Sequence, residues 1–136
     1  MNASPYNQYQ QASVQTASPE RLLIMLFEGA IKFLNMAKAG LQNSDIVMAN
    51  QNLIKTQNIV NELMVTLNMD YPVSKNLYQL YDYMNYRLIQ ANIKKDVAMV
   101  DEVLNHMTEL KDTFSQAAIK AKGEQAKVVG GVNFQG

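Results

Sequence analysis

Four stretches of this chain repeat their apolar residues at intervals of three and four, and only a few residues of turn chemistry separate each stretch from the next. That spacing gathers the apolar side chains on one face of an α-helix. Helices of about 20 residues joined by short turns run antiparallel to their neighbours. The pattern therefore predicts an all-α fold, an antiparallel up-and-down four-helix bundle, with room for a short extra N-terminal helix. The body contains no strand candidate and no repeat of fixed period.

The boundaries follow from local chemistry. Residues 1–17 are rich in Gln, Asn, Ser and Ala without periodicity and read as a flexible N-terminal arm, with Tyr6 and Tyr9 as its large side chains. Ser18, Pro19 and Glu20 open helix 1 with a hydroxyl cap, a proline in the first turn and a carboxylate at the positive end of the dipole. Its expected core stripe is Leu22, Leu26, Ala30, Phe33 and Ala37, with Ile24, Phe27 and Ile31 carrying apolarity onto a further side. Asp45 caps helix 2, whose stripe is Ile46, Ala49, Leu53, Val60, Leu63, Met64 and Leu67. Asp70, Tyr71 and Pro72 form a turn before helix 3, capped by Ser74 and burying Leu77, Leu80, Tyr81, Met84, Leu88 and Ala91. After a break at Lys94 to Asp96, helix 4 turns Val100, Val103, Leu104, Met107, Leu110, Phe114 and Ala118 inward. The bundle then spans 18–121, and residues 122–136, aperiodic and glycine-containing, read as a disordered tail.

Composition removes several classes of function. Twelve basic and twelve acidic residues balance to zero net charge, so no basic field holds nucleic acid or anionic lipid. Cysteine is absent, which excludes disulfides, thiolate metal sites and a cysteine nucleophile and fits a cytoplasmic location. The N-terminus lacks the basic start and apolar run of a secretory signal. No stretch reaches the roughly 18 apolar residues of a membrane span, so no membrane insertion is expected.

Reactive constellations are missing as well. The single histidine, His106, falls at the edge of the helix 4 stripe. A phosphotransfer bundle usually places a lysine or arginine and then a small residue after its histidine, whereas Met107, Thr108 and Glu109 follow here. The carboxylates show no Glu-x-x-His pair and no alternating acidic loop, which di-metal and calcium sites need. No glycine-rich phosphate loop occurs. The reading is a protein without catalytic residues, cofactor or metal.

What remains unexplained is apolar surface. Val47, Ile54 and Val65 form a second ridge on helix 2, about a quarter turn from its core stripe, and Tyr78, Tyr86, Ile89 and Ile93 lie off the stripe of helix 3. Tyrosine supplies large, stiff contact area that tolerates exposure, which suits an interface occupied part of the time. Surplus apolar surface of this kind calls for a partner.

The segments TASPERLLIMLFEGAIKFL (Thr16 to Leu34), NLIKTQNIVNEL (Asn52 to Leu63) and LYDYMNYRLIQANIKKD (Leu80 to Asp96) resemble, in that order, helices 1, 2 and 3 of the FliS family of flagellin-export chaperones. The similarity covers about residues 6–118; Tyr86 departs from it, since the family usually has a basic residue before the arginine that here is Arg87. The resemblance implies a cytoplasmic chaperone that binds the disordered C-terminal segment of flagellin, prevents premature polymerisation and helps deliver it to the flagellar type III export gate. It also implies that Tyr6 and Tyr9 belong to an N-terminal plug that covers an apolar groove until a client displaces it. The residues chosen for partner binding are Tyr6, Tyr9, Val47, Ile54, Val65, Tyr78, Tyr86 and Ile89, with Arg87 and Asn92 as weaker candidates suited to the helix 3 to helix 4 corner. The same ridges also suit a weak homodimer. Two alternatives stand beside this reading: a histidine phosphotransfer-like signalling bundle using His106, and a structural helical adaptor.

Overall fold

The computed structural model describes the backbone of residues 17–135 and the side chains as far as residue 123. The expected N-terminal arm and any extra helix within it, Ala17 aside, lie outside the described residues. Four helices follow in order: α1 (Pro19–Gln42), α2 (Ile46–Val65), α3 (Pro72–Lys94) and α4 (Val97–Gln135).

Their ends are set by side-chain chemistry. Ser18 is extended, and its hydroxyl accepts from the Arg21 N–H at 3.2 Å, with Pro19 at the first helical position. Asp45 accepts from the Met48 N–H at 3.1 Å, as its placement before helix 2 predicts. Helix α3 starts two residues before the expected cap, because Pro72 is itself suited to the first turn. Ser74 is buried instead, and its hydroxyl donates to the Asn68 carbonyl at 2.6 Å, tying the α2–α3 connection to the helix it enters. Lys95 adopts the left-handed conformation (φ 52°) that ends α3. The backbone of α4 stays helical to Gln135, through the stretch from residue 122 where composition predicts an aperiodic tail. Ala, Lys, Glu and Gln dominate the run from Ala117 to Lys127, and in that run these strong helix formers outweigh Gly123, which costs about 1 kcal/mol; the helix continues through Gly130 and Gly131, which composition does not explain.

Helix α1 packs on α2 and α4, and α3 closes the ring against the same two helices. The core holds Phe27, Ala30, Leu34 and Ala37 from α1, Leu53, Val60 and Leu63 from α2, Tyr81, Met84, Leu88 and Ala91 from α3, and Val100, Val103 and Met107 from α4. The stripes of α3 and α4 run along the predicted positions, with Leu77, Leu80, Leu104, Leu110 and Phe114 partly covered and packed against the buried core. Helix α1 is rotated relative to the expected stripe: Ile24, Phe27 and Leu34 are buried, while Leu22, Leu26 and Phe33 are only partly covered. A helix apolar on most sides offers no single stripe from which to fix its rotation. Ile46, a core residue of α2 by spacing, is 50% exposed because it stands in the first turn, just past the loop. Asn52 and Thr56 are buried further along the helix. Each donates within α2, Asn52 Nδ2 to the Met48 carbonyl and Thr56 Oγ1 to the Asn52 carbonyl, both at 2.8 Å.

Small residues let α1 and α2 approach closely. A Cβ added at Gly40 would lie 2.8 Å from the backbone nitrogen of Ala49 and 3.0 Å from the Asp45 carbonyl oxygen, whereas one at Gly123 meets nothing within 4 Å. Gly40→Ala is therefore expected to destabilise the fold by about 1–3 kcal/mol through overpacking. Gly123→Ala should stabilise it by about 0.5–1 kcal/mol through helix propensity. Urea unfolding of the two variants checks both signs, and an unaffected Gly40→Ala would show that α1 and α2 are not in close backbone contact.

Candidate partner-binding surface

With one face of each helix committed to the core, the remaining apolar ridges face outward. Val47 is 65% exposed, Ile54 44% and Val65 80%, and Tyr78, Tyr86 and Ile89 are exposed to a similar degree. Helix geometry puts Val47, Ile54 and Val65 on one line along α2, since they are seven and then eleven residues apart. Tyr78 and Ile89 form the matching line on α3.

Two asparagine pairs bridge the seam between these lines. Asn92 Nδ2 donates to Asn50 Oδ1 at 2.7 Å, and Asn85 Nδ2 donates to Asn61 Oδ1 at 2.8 Å. These pairs set the antiparallel register, so Val65 stands at the level of Tyr78 and Ile54 at that of Ile89. Above the seam runs a shallow groove. Its best-defined part, about 420 Å³, is lined by Ile54, Ile89 and Ile93 together with Asn50, Asn92 and Lys95. Ile93, 70% exposed, belongs to this surface although it is not among the residues chosen from sequence. Tyr86, 58% exposed, stands seven residues before Ile93 and so on the same side of α3, but it is not among the residues that line this best-defined part of the groove.

Arg87 and Asn92 hold helices together. Asn92 joins α3 to α2 and also accepts from Lys95 Nζ. Arg87 Nη2 donates to Glu102 Oε2 on α4 at 3.1 Å, while Tyr83 Oη donates to the other carboxylate oxygen. The hydrogen bond from Tyr83 and the charge of Arg87 hold the Glu102 carboxyl below its usual range, and the same bond to Glu102 raises the Tyr83 hydroxyl. His106 is half-buried, its ring edge-on to Tyr83 at a centroid distance of 6.4 Å. One helical turn from the Glu102 carboxylate, it is poorly placed to carry a further negative phosphoryl group. Asp101, next to Glu102, takes Lys38 of α1 at 2.8 Å, so adjacent carboxylates fasten α4 to both neighbours.

A second apolar depression escapes the sequence reading. Between the start of α1 and the far part of α4, Leu22, Leu23 and Leu26 face Phe114, Ala117 and Ala118 across a pocket of about 470 Å³. By spacing alone Leu22 and Leu26 belong to the core. The signal that could have found the pocket is the run of small residues on α4, Ala117, Ala118 and Ala121, which cannot fill the space opposite leucines. Among the described residues no group of three potential metal ligands comes together, and no helix is long and apolar enough to cross a membrane.

A ring of four helices, its polar groups engaged in helix pairing and its apolar ridges left open, defines a helical binding protein. Comparison with known proteins agrees. The model of the family "Flagellar protein FliS" matches residues 1–121. A flagellar secretion chaperone FliS of Bacillus subtilis is 46% identical over 114 residues, covering 84% of this chain and 86% of that protein. Its Salmonella typhimurium counterpart is 34% identical over 132 residues, covering 92% and 98%. A bacterial flagellar chaperone known from its crystal structure superposes with a TM-score of 0.71 over 85% of this chain and 99% of that one; at 21% identity it shows the fold. The chain belongs to the FliS family, and its function is that of a flagellar secretion chaperone.

The Glu102 cluster makes a pH prediction. A carboxyl held below its ordinary value adds stability above that value, and the contribution is lost as pH falls through it. Wild-type stability is therefore expected to drop more steeply between about pH 5 and pH 3 than that of Tyr83→Phe or Glu102→Gln. Urea midpoints across that range check it, and parallel curves for all three proteins would contradict a carboxylate stabilised by Tyr83.

Proposed function

We propose that this chaperone binds the C-terminal segment of flagellin in the cytoplasm, laying at least one helix of it into the α2–α3 groove. The bound segment is withheld from polymerisation until the complex reaches a component of the flagellar export gate. The observation that carries this reading is the pair of exposed lines, Val47, Ile54 and Val65 on α2 and Tyr78 and Ile89 on α3, which the core does not use and the asparagine pairs hold side by side. An amphipathic helix docking in an apolar groove is a general mode of peptide recognition. Kinship to flagellar secretion chaperones supports a flagellar client. Because ordering a flexible segment costs free energy, the affinity has to come from extended burial with a few anchors.

Tyr6 and Tyr9 lie outside the described residues, and their part in the proposal is to plug an apolar surface in the empty chaperone. The pocket between α1 and α4 has Pro19 and Glu20 on its rim, so the arm enters the fold beside it. The nine residues from Tyr9 to Ser18 span up to about 30 Å when extended, and tethering gives the tyrosines a high effective concentration there. Arg87 and Asn92 act by holding α3 in place, and Tyr86 offers exposed contact area on the same side of α3 as Ile93. Any weak homodimer would use the same ridges and compete with client.

Calorimetric titration with the flagellin C-terminal segment tests the reading. Ile54→Ala is expected to weaken binding about tenfold with the helical circular dichroism and urea midpoint nearly unchanged, since Ile54 is exposed in the free protein. Where a further helix of the client takes the α1–α4 pocket that the arm covers, Tyr6→Ala combined with Tyr9→Ala tightens binding by removing a competitor; unchanged affinity would contradict the plug. Unchanged affinity for Ile54→Ala would place the client elsewhere.

A further inference from the structure

The two rims of the α2–α3 groove follow a strict alternation of four and three residues: Val47, Gln51, Ile54, Asn58, Asn61 and Val65 on α2, and Tyr78, Asp82, Asn85, Ile89 and Asn92 on α3. That is the spacing of coiled-coil seam positions, which accept the side chains of another helix as knobs between them. The two seams differ from an ordinary zipper in what fills them. Apolar positions come at Val47 of α2, at Ile54 with Ile89, and at Val65 with Tyr78. An uncharged amide layer of Asn58, Asn61 and Asn85 interrupts the long interval between the last two. Next to that layer stands Asp82, the only charged residue in either series.

Neither Asp82 nor Asn58 has a side-chain partner among the described residues. Asp82 forms no ion pair, in contrast to Asp101 and Glu102, which are both engaged across helix boundaries. The Asn58 amide makes no hydrogen bond, although Asn50, Asn61, Asn85 and Asn92 on the same seam are all paired. A polar position on an apolar seam costs affinity and sets register. An unpaired carboxylate on a rim selects a cation and disfavours an anion.

We propose, building on the reading of this groove as the flagellin site, that it accepts one amphipathic helix of defined register, recognised by charge as well as by apolarity. The client helix presents apolar anchors seven and eleven residues apart, an uncharged polar side chain against Asn58, and a lysine or arginine against Asp82. It is at least about 19 residues long, roughly 27 Å at helical rise. The unequal spacing of the anchors fixes its direction: read parallel to α2 the short interval comes first, and read parallel to α3 it comes last. A second copy of this chain suits the groove less well, because its seam series carries no cation for Asp82 and the lysine lining its groove, Lys95, is engaged on Asn92.

The test titrates the full chain and its Asp82→Asn, Asp82→Lys and Ile54→Asp variants with the flagellin C-terminal segment at low and moderate salt, with sedimentation and circular dichroism on each variant. The expected result is about three- to fivefold weaker binding for Asp82→Asn and about tenfold or more for Asp82→Lys, with a flatter salt dependence in both. Replacing the segment's lysines and arginines by glutamate one at a time should find a single position whose loss of binding is rescued by Asp82→Lys. If Ile54→Asp abolishes binding while Asp82→Lys keeps both affinity and salt dependence, the groove is the client site but charge recognition is overturned. If wild type does not bind, or Ile54→Asp binds as wild type does, the flagellin reading of the groove fails and this proposal fails with it. A dimer that Ile54→Asp disperses, in a protein that ignores the flagellin segment, assigns the groove to a second copy and overturns both.

Discussion

The close approach of α1 to α2 is the constraint on which the rest of the molecule depends. Gly40 leaves no space for a side chain against the backbone of Ala49, and Gly29, eleven residues earlier on the same face, lies close against Ile59. This pair makes the largest interface in the bundle. Helix α4 adds Phe114, which stacks at a tilt on Phe27 with ring centroids 5.5 Å apart. Helix α3 completes the core with Tyr81, Met84 and Leu88, but its flanks are joined by amides and ions. Once the core is full, the outer lines of α2 and α3 have nothing left among the described residues to pack against.

That division of labour explains how a small helical bundle can keep isoleucines and tyrosines in water. Polar pairs on the flanks of α3 fix its position without consuming the apolar rims. Asn50 with Asn92 and Asn61 with Asn85 close the floor of the groove towards α2, and Arg87 and Tyr83 on Glu102 close the seam towards α4. Such contacts contribute modestly to stability, about 1 kcal/mol each when neutral and exposed. Their larger effect is geometric, because they hold the rims at a constant separation. A preformed groove lowers the cost of ordering the client, since only one partner has to lose conformational freedom.

Helix number, order and most ends were legible in the sequence because they rest on local chemistry: Ser18 and Asp45 cap as their positions suggest, and the break at Lys95 is a left-handed residue. The rotation of α1 was not legible. Leucine, isoleucine, phenylalanine and methionine occupy nearly every side of that helix, so periodicity fits several stripes, and only packing against its neighbours selects Phe27 and Leu34 over Phe33. Asn52 and Thr56 escaped notice because a polar residue that donates to its own helix looks, in sequence, like a solvated one. The exposed ridges were legible as surplus, Val47, Ile54 and Val65 among them. The union of Ile54 with Ile89 and Ile93 into one groove required the register set by the asparagine pairs. Family membership came from the three quoted segments and stands on the match over residues 1–121.

The central claim is that the groove over the α2–α3 seam is where the client folds. Isotope-edited NMR of the chaperone, methyl-labelled at isoleucine and bound to unlabelled flagellin C-terminal segment, tests it most directly. The account predicts intermolecular contacts to the methyl groups of Ile54, Ile89 and Ile93 from a segment that has become helical. Contacts confined to Ile24 and Ile119, beside the opening between α1 and α4, with Ile54 and Ile89 unperturbed, would contradict it.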